Sequence, residues 1–540
     1  MFGMGPVRPE FAEPLSAVKG GGVLAAVPLL LKEGLLSGTG FLSLPHGYCG
    51  ITSLLLFPAF MIMARLRTPE GLRHVPPGEW GSLLGLDRCP EVKTVRSKIR
   101  LLGHDRKALG DWQNHLARTW MADDPDTSAV LSVDGHVKVH AGRKGRLKKH
   151  FVSRDKLCLP VSTTYWLNAL GGKPFLCLNS PLDPGMVQML EREIVPALEG
   201  LGVLGPGDPD LYAGPEAEPV LTLVFDREGW SPELFVRLAR RGVAVVAWHR
   251  NFRGKDWDEG YFARTEVELH GPASSHVIAA DLAEKVVVLD RDGKWRDGHD
   301  GGGERPGNRF HQVRRLMPDG HQMALVTTHF GMPVGEVASV VFSRWSQENF
   351  LRYMRDEFNL DSLPVHELAS PDPDVDVVNP EWRRIDREYK KVNPRMGTIR
   401  NRIASHAGAK NPSRERLDGL QRQLGELAVR RETLREQRRV IPERIRVGGL
   451  EGKDVLDVLP EGEKLLPDLL RMIAYRAETA MMPAVAVSQG KVRRPRRVLK
   501  ALMQADADIV PDHVKGELRV RILGTASDAC DKYIRGCWRN

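Results

Sequence analysis

Along the chain the apolar positions change their spacing, and each change predicts a different kind of element. Up to about residue 125 they recur every three or four positions, the period of an amphipathic helix. Val92, Val95, Ile99 and Leu102 share one side of a helix expected over 90–102, and Leu109, Trp112, Leu116 and Trp120 share one side of the next, over 106–120. The most apolar run, Ile51 to Ala64, is shorter than the roughly 20 residues of a membrane span and is interrupted by Pro58, so it predicts a buried helix. Nothing near the first residues has the basic-then-apolar pattern of a signal peptide, and a cytoplasmic protein is expected.

From about residue 126 the spacing shortens to that of strands. AVLSV (129–133) is a short apolar run ending in Asp134, and Gly135 suits a tight turn into the alternating HVKVH. Strands are expected at 162–169 and 174–179, then a helix opened by Asp183 and Pro184. VLTLVF (220–225) is apolar enough to be buried on both faces and ends in Asp226; a helix over 232–240 and a strand, VAVVAW (243–248), follow. This alternation predicts an α/β fold, a mixed sheet flanked by helices. TEVELH, KVVVLD and QMALVTT then read as further strands, giving β structure over 250–330.

The period lengthens again at PVGEVASVVFSRWSQENFLRYMRDEF (333–358), which predicts a single helix. Pro333 suits its first position, Glu336 its positive end and Asn359 its stop. At 3.6 residues per turn, Val337, Val341, Arg344, Glu348, Leu351 and Arg355 fall on one face, apolar at one end and charged in the middle.

Charge changes the picture in two places. The 540 residues carry a formal charge of +9, which favours a polyanionic partner. One basic run, AGRKGRLKK (141–149), follows Asp134 closely, and its Arg143, Lys144, Arg146, Lys148 and Lys149 suit a DNA backbone. The other spans 383–446, where 19 basic residues face 8 acidic ones in an otherwise helical segment. Within it Leu417, Leu420, Leu424, Leu427 and Leu434 recur at three- and four-residue spacing with Arg431 at a seam position, which fits an antiparallel hairpin or a dimer contact. The short helix expected at 79–84 and the helix over 90–102, with Lys93, Arg96, Lys98 and Arg100 outward, have the layout of a helix-turn-helix reader or of an ordinary amphipathic pair.

Other motifs carry little. Six scattered cysteines form no zinc or disulfide pattern, DRDGKW (290–295) lacks the later acids of a calcium loop, and DGHDGGGERPG lacks the lysine of a phosphate-binding loop. Trp257 and Trp295 are candidates for stacking on an unpaired base, with ordinary packing the commoner role. His136 and His140 suit surface or turn roles.

The carboxylates carry more. Two strands deliver Asp134 and Asp226 at their carboxyl ends, where open α/β sheets bind ligands. If those strands are neighbours and the helix bearing Glu348 packs across them, three acids converge. Their mutual repulsion then calls for cations, and open oxygen-ligand sites suit Mg²⁺ or Mn²⁺. Paired ions of that kind serve phosphodiester chemistry, with Arg344 and Arg355 placed to hold phosphates.

These residues resemble the DDE transposases of bacterial insertion sequences, which have an RNase H-like core. The resemblance lies in VLSVDGH around Asp134, VLTLVFDREGW around Asp226 and SRWSQENFLRYMR around Glu348. The last is similar to the family's signature of Tyr, two residues, Arg, three residues, Glu, six residues, Lys or Arg. Arg344, Glu348 and Arg355 keep that spacing, while Val341 stands at the Tyr position. The resemblance implies that Asp134, Asp226 and Glu348 form a catalytic, metal-binding triad with Mg²⁺ or Mn²⁺. It implies DNA cleavage and strand transfer, with element ends and target DNA as partners and a homodimer in the synaptic complex near the bacterial nucleoid. It also implies a β insertion in the 122 positions between Asp226 and Glu348.

The organisation expected is a helical region over 1–125 with possible DNA contact, an RNase H-like core over 126–369, and a basic, mainly helical region over 370–540. A strand, ELRVRIL (517–523), has no place assigned by the pattern. A related nuclease or domesticated transposase without strand transfer, and a nonenzymatic DNA-binding protein, are the rival readings.

Overall fold

The computed structural model describes residues 14–45, 47–74, 76–140, 142, 145–204, 218–250, 252, 256–272, 274–288, 309–362, 368–408, 413–487, 495–525 and 527–537. The chain divides into two compact units. One comprises 1–140, 161–367 and 459–540, the other 141–160 and 368–458. Trp295, the DRDGKW turn, the glycine run near 300, Arg143 and Lys144 lie outside the described residues.

The first unit is built on a large mixed sheet flanked by helices. Across it the strands run Pro174–Ser180, Leu157–Ala169, Val130–Val139, Leu221–Phe225, Val243–Trp248, Gln322–Thr327, Arg309–Leu316, Ser275–Val288 and Ala263–His270. Val130–Val139, Leu221–Phe225 and Val243–Trp248 pair in parallel, and the other pairings are antiparallel. All five residues of Leu221–Phe225 are buried, as a central strand covered on both faces requires. The strands expected between Asp226 and Glu348 are present, and Arg309–Leu316 adds one that the pattern did not reveal.

Helices Val92–His104 and Arg106–Asp123 form where the period predicted them, and Leu109, Trp112, Leu116 and Trp120 are buried. Ile51–Met63 is the expected buried helix, and among the described residues no helix is long and apolar enough to cross a membrane. Glu461–Val487 packs against both the Ile51–Met63 and Val92–His104 helices and the Pro174–Ser180 strand. The strand near 517 finds its place in a three-stranded sheet, Leu15–Val18, Ala507–Asp512 and Glu517–Ile522.

Two local expectations fail. Gly135 makes no turn, because Val130–Val139 runs straight through Asp134 and Gly135, pairing along its length with Leu157–Ala169. The glycine serves close approach instead: a Cβ there would meet the Tyr165 ring at 3.2 Å. The helix at 333–358 is two helices, Val334–Phe342 and Trp345–Phe358. Three serines tie the break to one strand end. Ser339 donates to the Glu268 carbonyl, Ser343 Oγ accepts from the His270 N–H at 2.9 Å, and Ser346 Oγ donates to the His270 carbonyl at 2.5 Å. The turn between tightens to bonds spanning three residues, Ser346 to Ser343 and Gln347 to Arg344.

The second unit contains an antiparallel pair of long helices, Pro380–Ala407 and Arg414–Val440, which decides the hairpin arrangement for the leucine repeat within the chain. Asp376–Val378 and Arg444–Arg446 pair beside its base.

Candidate active site

Strand register sets the first two carboxylates. Val133 pairs with Phe225 as the last rung between two parallel neighbours, so Asp134 and Asp226 follow on adjacent strands, one step beyond it. Asp226 leaves the strand and its Oδ1 accepts from the Arg227 N–H at 2.7 Å, opening a short turn. Asp134 stays in its strand, with 26% of its side chain reaching solvent. Burial pushes its carboxyl up to about 6; the Arg344 guanidinium and the Gly135 N–H pull it back, and the charges of Asp226 and Glu228 push it up again.

Glu348 is linked to Asp134 through Arg344. The arginine, 12% exposed, lies at the helix break, with Nη2 2.5 Å from Glu348 Oε1 and Nη1 3.7 Å from Asp134 Oδ2. Among the described residues no three His, Cys, Asp or Glu side chains converge closely enough to hold a metal ion. The donor chemistry nevertheless fits a hard divalent ion: carboxylate oxygens repel one another at Asp134, and a guanidinium supplies the positive charge there. The Glu348 carboxylate is held by Arg344.

The remaining expected residues are not gathered at this point. Arg355 lies two turns along the helix from Glu348 and pairs with Asp356 at 3.0 Å. Arg146, Lys148 and Lys149 belong to the second unit, where the Arg146 N–H donates to Asp457 at 2.7 Å. Val341 is buried in an apolar cluster with Val224, Val246, Val313 and Leu325, so the residue at the Tyr position is part of the core. Trp257 is buried as well, under the Arg314 guanidinium at 3.9 Å, which is a packing role.

A family model described as "Transposase protein" matches residues 3–538. The chain belongs to this transposase family. No curated protein matches it. Among solved structures it is similar to the piggyBac transposase synaptic complex with hairpin DNA. That likeness has 11% identity and a TM-score of 0.31 over 64% of this chain and 70% of that one, too low a score to establish a shared fold.

Sequence reasoning missed what positions the transposase's carboxylates. Gln347, 1% exposed, points into the sheet, and its Nε2 donates to the Ser132 carbonyl at 3.0 Å, the Trp166 carbonyl at 2.9 Å and Asn168 Oδ1 at 3.0 Å. It thereby pins the start of the Trp345–Phe358 helix to the strand that bears Asp134 and to its antiparallel neighbour, Leu157–Ala169. The Trp166 ring meets Phe350 edge-on 5.3 Å away, one turn further along.

Alternation along Val130–Val139 puts His136 and Lys138 on the face of Asp134. His136, expected at the surface, is only 11% exposed and lies 2.7 Å from Asp361; burial lowers its pKa, and Asp361 opposes the shift. His140 is buried too. Lys138 and Asp468 form a fully buried ion pair at 2.9 Å. Arg471 joins them at 2.8 Å and bonds the Phe358 and Asn359 carbonyls, satisfying the end of the helix that carries Glu348. The available signal was the strand period itself, which places a lysine four residues beyond Asp134 on the same face.

Proposed function

We propose that this transposase is a DDE-type enzyme with an RNase H-like core, in which Asp134, Asp226 and Glu348 hold divalent metal, Mg²⁺ or Mn²⁺, and cut and rejoin DNA. The observation that carries the reading is the parallel register of Val133 with Phe225, which puts Asp134 and Asp226 on adjacent strands, with Glu348 linked to Asp134 through Arg344. Divalent metal held by such carboxylates polarises the scissile phosphate and lowers the pKa of attacking water or a 3′-hydroxyl.

The chain's own residues do the rest. Gln347 fixes the helix start, so that Glu348 is presented at a constant height above the strand bearing Asp134. Arg344 neutralises the acids in the DNA-free protein and, when DNA arrives, exchanges a carboxylate for a phosphate oxygen, for which its planar fork is suited. Arg355, in this reading, contacts the backbone two turns away. Arg143, Lys144, Arg146, Lys148 and Lys149 add charge for DNA held against the second unit. Water first frees a 3′-hydroxyl at the element end, and that hydroxyl then attacks target DNA. The family resemblance makes the element a bacterial insertion sequence and the working assembly a synaptic dimer.

Incubation of the full chain with a labelled element end, supercoiled plasmid and Mg²⁺ tests the reading. Joined end-to-plasmid products are expected. Nicked plasmid without joined product would make the protein a nuclease of the same chemistry.

A further inference from the structure

The helical hairpin of the second unit segregates its charges in a way that neither helix needs for folding. In Pro380–Ala407 the positions turned toward the partner helix are Trp382, Ile385, Tyr389, Val392, Met396 and Ile399, at alternating spacings of three and four; Ile385, Val392 and Met396 are fully buried. The acids flank that seam. Asp386 is held by Arg438 at 3.2 Å and Lys390 at 2.6 Å, and Glu388 by Arg430 at 3.2 Å and Lys391 at 3.3 Å. Arg438 also lies 4.8 Å from the Trp382 ring centre, which closes the pair at its base.

The opposite side of the same helix holds basic and neutral residues but no acid. At 100° per residue, Arg383, Arg384, Arg387, Lys390 and Lys391 fall within one outward sector, and Arg395 and Arg402 extend it. Every one of these residues is exposed, and the stripe is about 28 Å long at 1.5 Å per residue. Among the described residues, Arg383, Arg384 and Arg387 make no ion pair. Like charges are thus crowded along this side, with Asp386 and Glu388 at its margins, where they engage Lys390 and Lys391. The outward side of Arg414–Val440 differs: it mixes Asp418, Glu426, Glu432 and Glu436 with Arg422 and Arg439.

We infer that the outer face of Pro380–Ala407 is a second DNA-binding surface, which lies along the phosphate backbone of duplex DNA without reading its sequence. A straight row of guanidinium and ammonium groups matches a polymer that carries one negative charge per about 1.7 Å of axis. The basic residues on the row are long and flexible, and no aromatic side chain lies among them. The partner helix, mixed in sign, faces away from the DNA. The inference rests on the reading of the chain as a DNA-handling enzyme, and it adds a binding surface in the second unit that is separate from the carboxylates.

The test uses the full chain, a random-sequence duplex of about 30 base pairs and EDTA, so that binding is measured without chemistry. Fluorescence anisotropy across a salt series compares the parent with Arg383→Gln/Arg384→Gln/Arg387→Gln, with the same triple changed to Lys, and with Arg422→Gln/Arg439→Gln. The glutamine triple is expected to flatten the slope of log K against log salt by about 2.7, at about 0.9 per lost phosphate contact, and to weaken binding at least about tenfold at 0.1 M salt. The lysine triple and the pair on the other helix are expected to stay near the parent. Parental binding by the glutamine triple overturns the inference, as does equal loss in the lysine triple or the control pair. Because binding is read in EDTA without chemistry, failure of the basic face leaves the carboxylate reading standing, and failure of the carboxylate reading leaves this surface standing.

Discussion

Gln347 donates to the carbonyl oxygen of Ser132 at 3.0 Å, and this single bond ties the residue before Glu348 to the strand two residues before Asp134. With its further bonds to Trp166 and Asn168 it fixes where the helix starts. Replacing Gln347 by Leu keeps the volume but removes two N–H groups shared among three buried acceptors. The cost expected is about 3 kcal/mol, since each orphaned buried group costs roughly 1–3 kcal/mol and some relaxation follows. Urea unfolding measures it, and a variant as stable as the parent contradicts the anchoring role.

Arg344 holds Glu348 and faces Asp134, so it competes with any cation for the same oxygens. In Arg344→Gln, Mn²⁺ is expected to bind at several-fold lower concentration by calorimetry. DNA cleavage is expected to fall by about 10²-fold, the usual cost of removing a placed electrostatic group. Weaker Mn²⁺ binding in the variant argues against the competition.

Lys464 is fully buried, and its Nζ donates to Ser162 Oγ at 3.0 Å. Burial lowers its pKa to about 7, Lys138 pushes the same way, and Asp468 opposes. The folded state therefore loses this proton near pH 7, while the unfolded chain keeps it until about 10.5. Between those values the unfolded chain binds more protons, so this group's contribution to stability rises with pH. Relative to Lys464→Met, the parent is expected to gain up to about 2–3 kcal/mol from pH 7 to 9, at 1.36 kcal/mol per unit. A parallel pH dependence in both proteins contradicts the assignment.

The sheet strands and the amphipathic helices were legible because their periods are long and regular, and Asp134 and Asp226 were legible because each follows an apolar run. The break at Ser343 was not, since it depends on His270, 73 residues away in sequence. Nor was the role of Gln347, a polar residue whose burial is set by strands that only the fold brings beneath it. Gly135 suggested a turn because glycine usually marks one, whereas here it makes room for Tyr165 across the strand. The leucine repeat showed a seam, but its partner, Pro380–Ala407, could be paired with it only once both helices were placed.

The central claim is that Asp134, Asp226 and Glu348 act together in metal-dependent DNA cleavage. Nicking of supercoiled plasmid in Mg²⁺ by the parent, Asp226→Ala and Glu348→Ala tests it most directly. Nicking by the parent and none above background by either variant is expected, with both still binding DNA in EDTA. Nicking that survives both substitutions would contradict it.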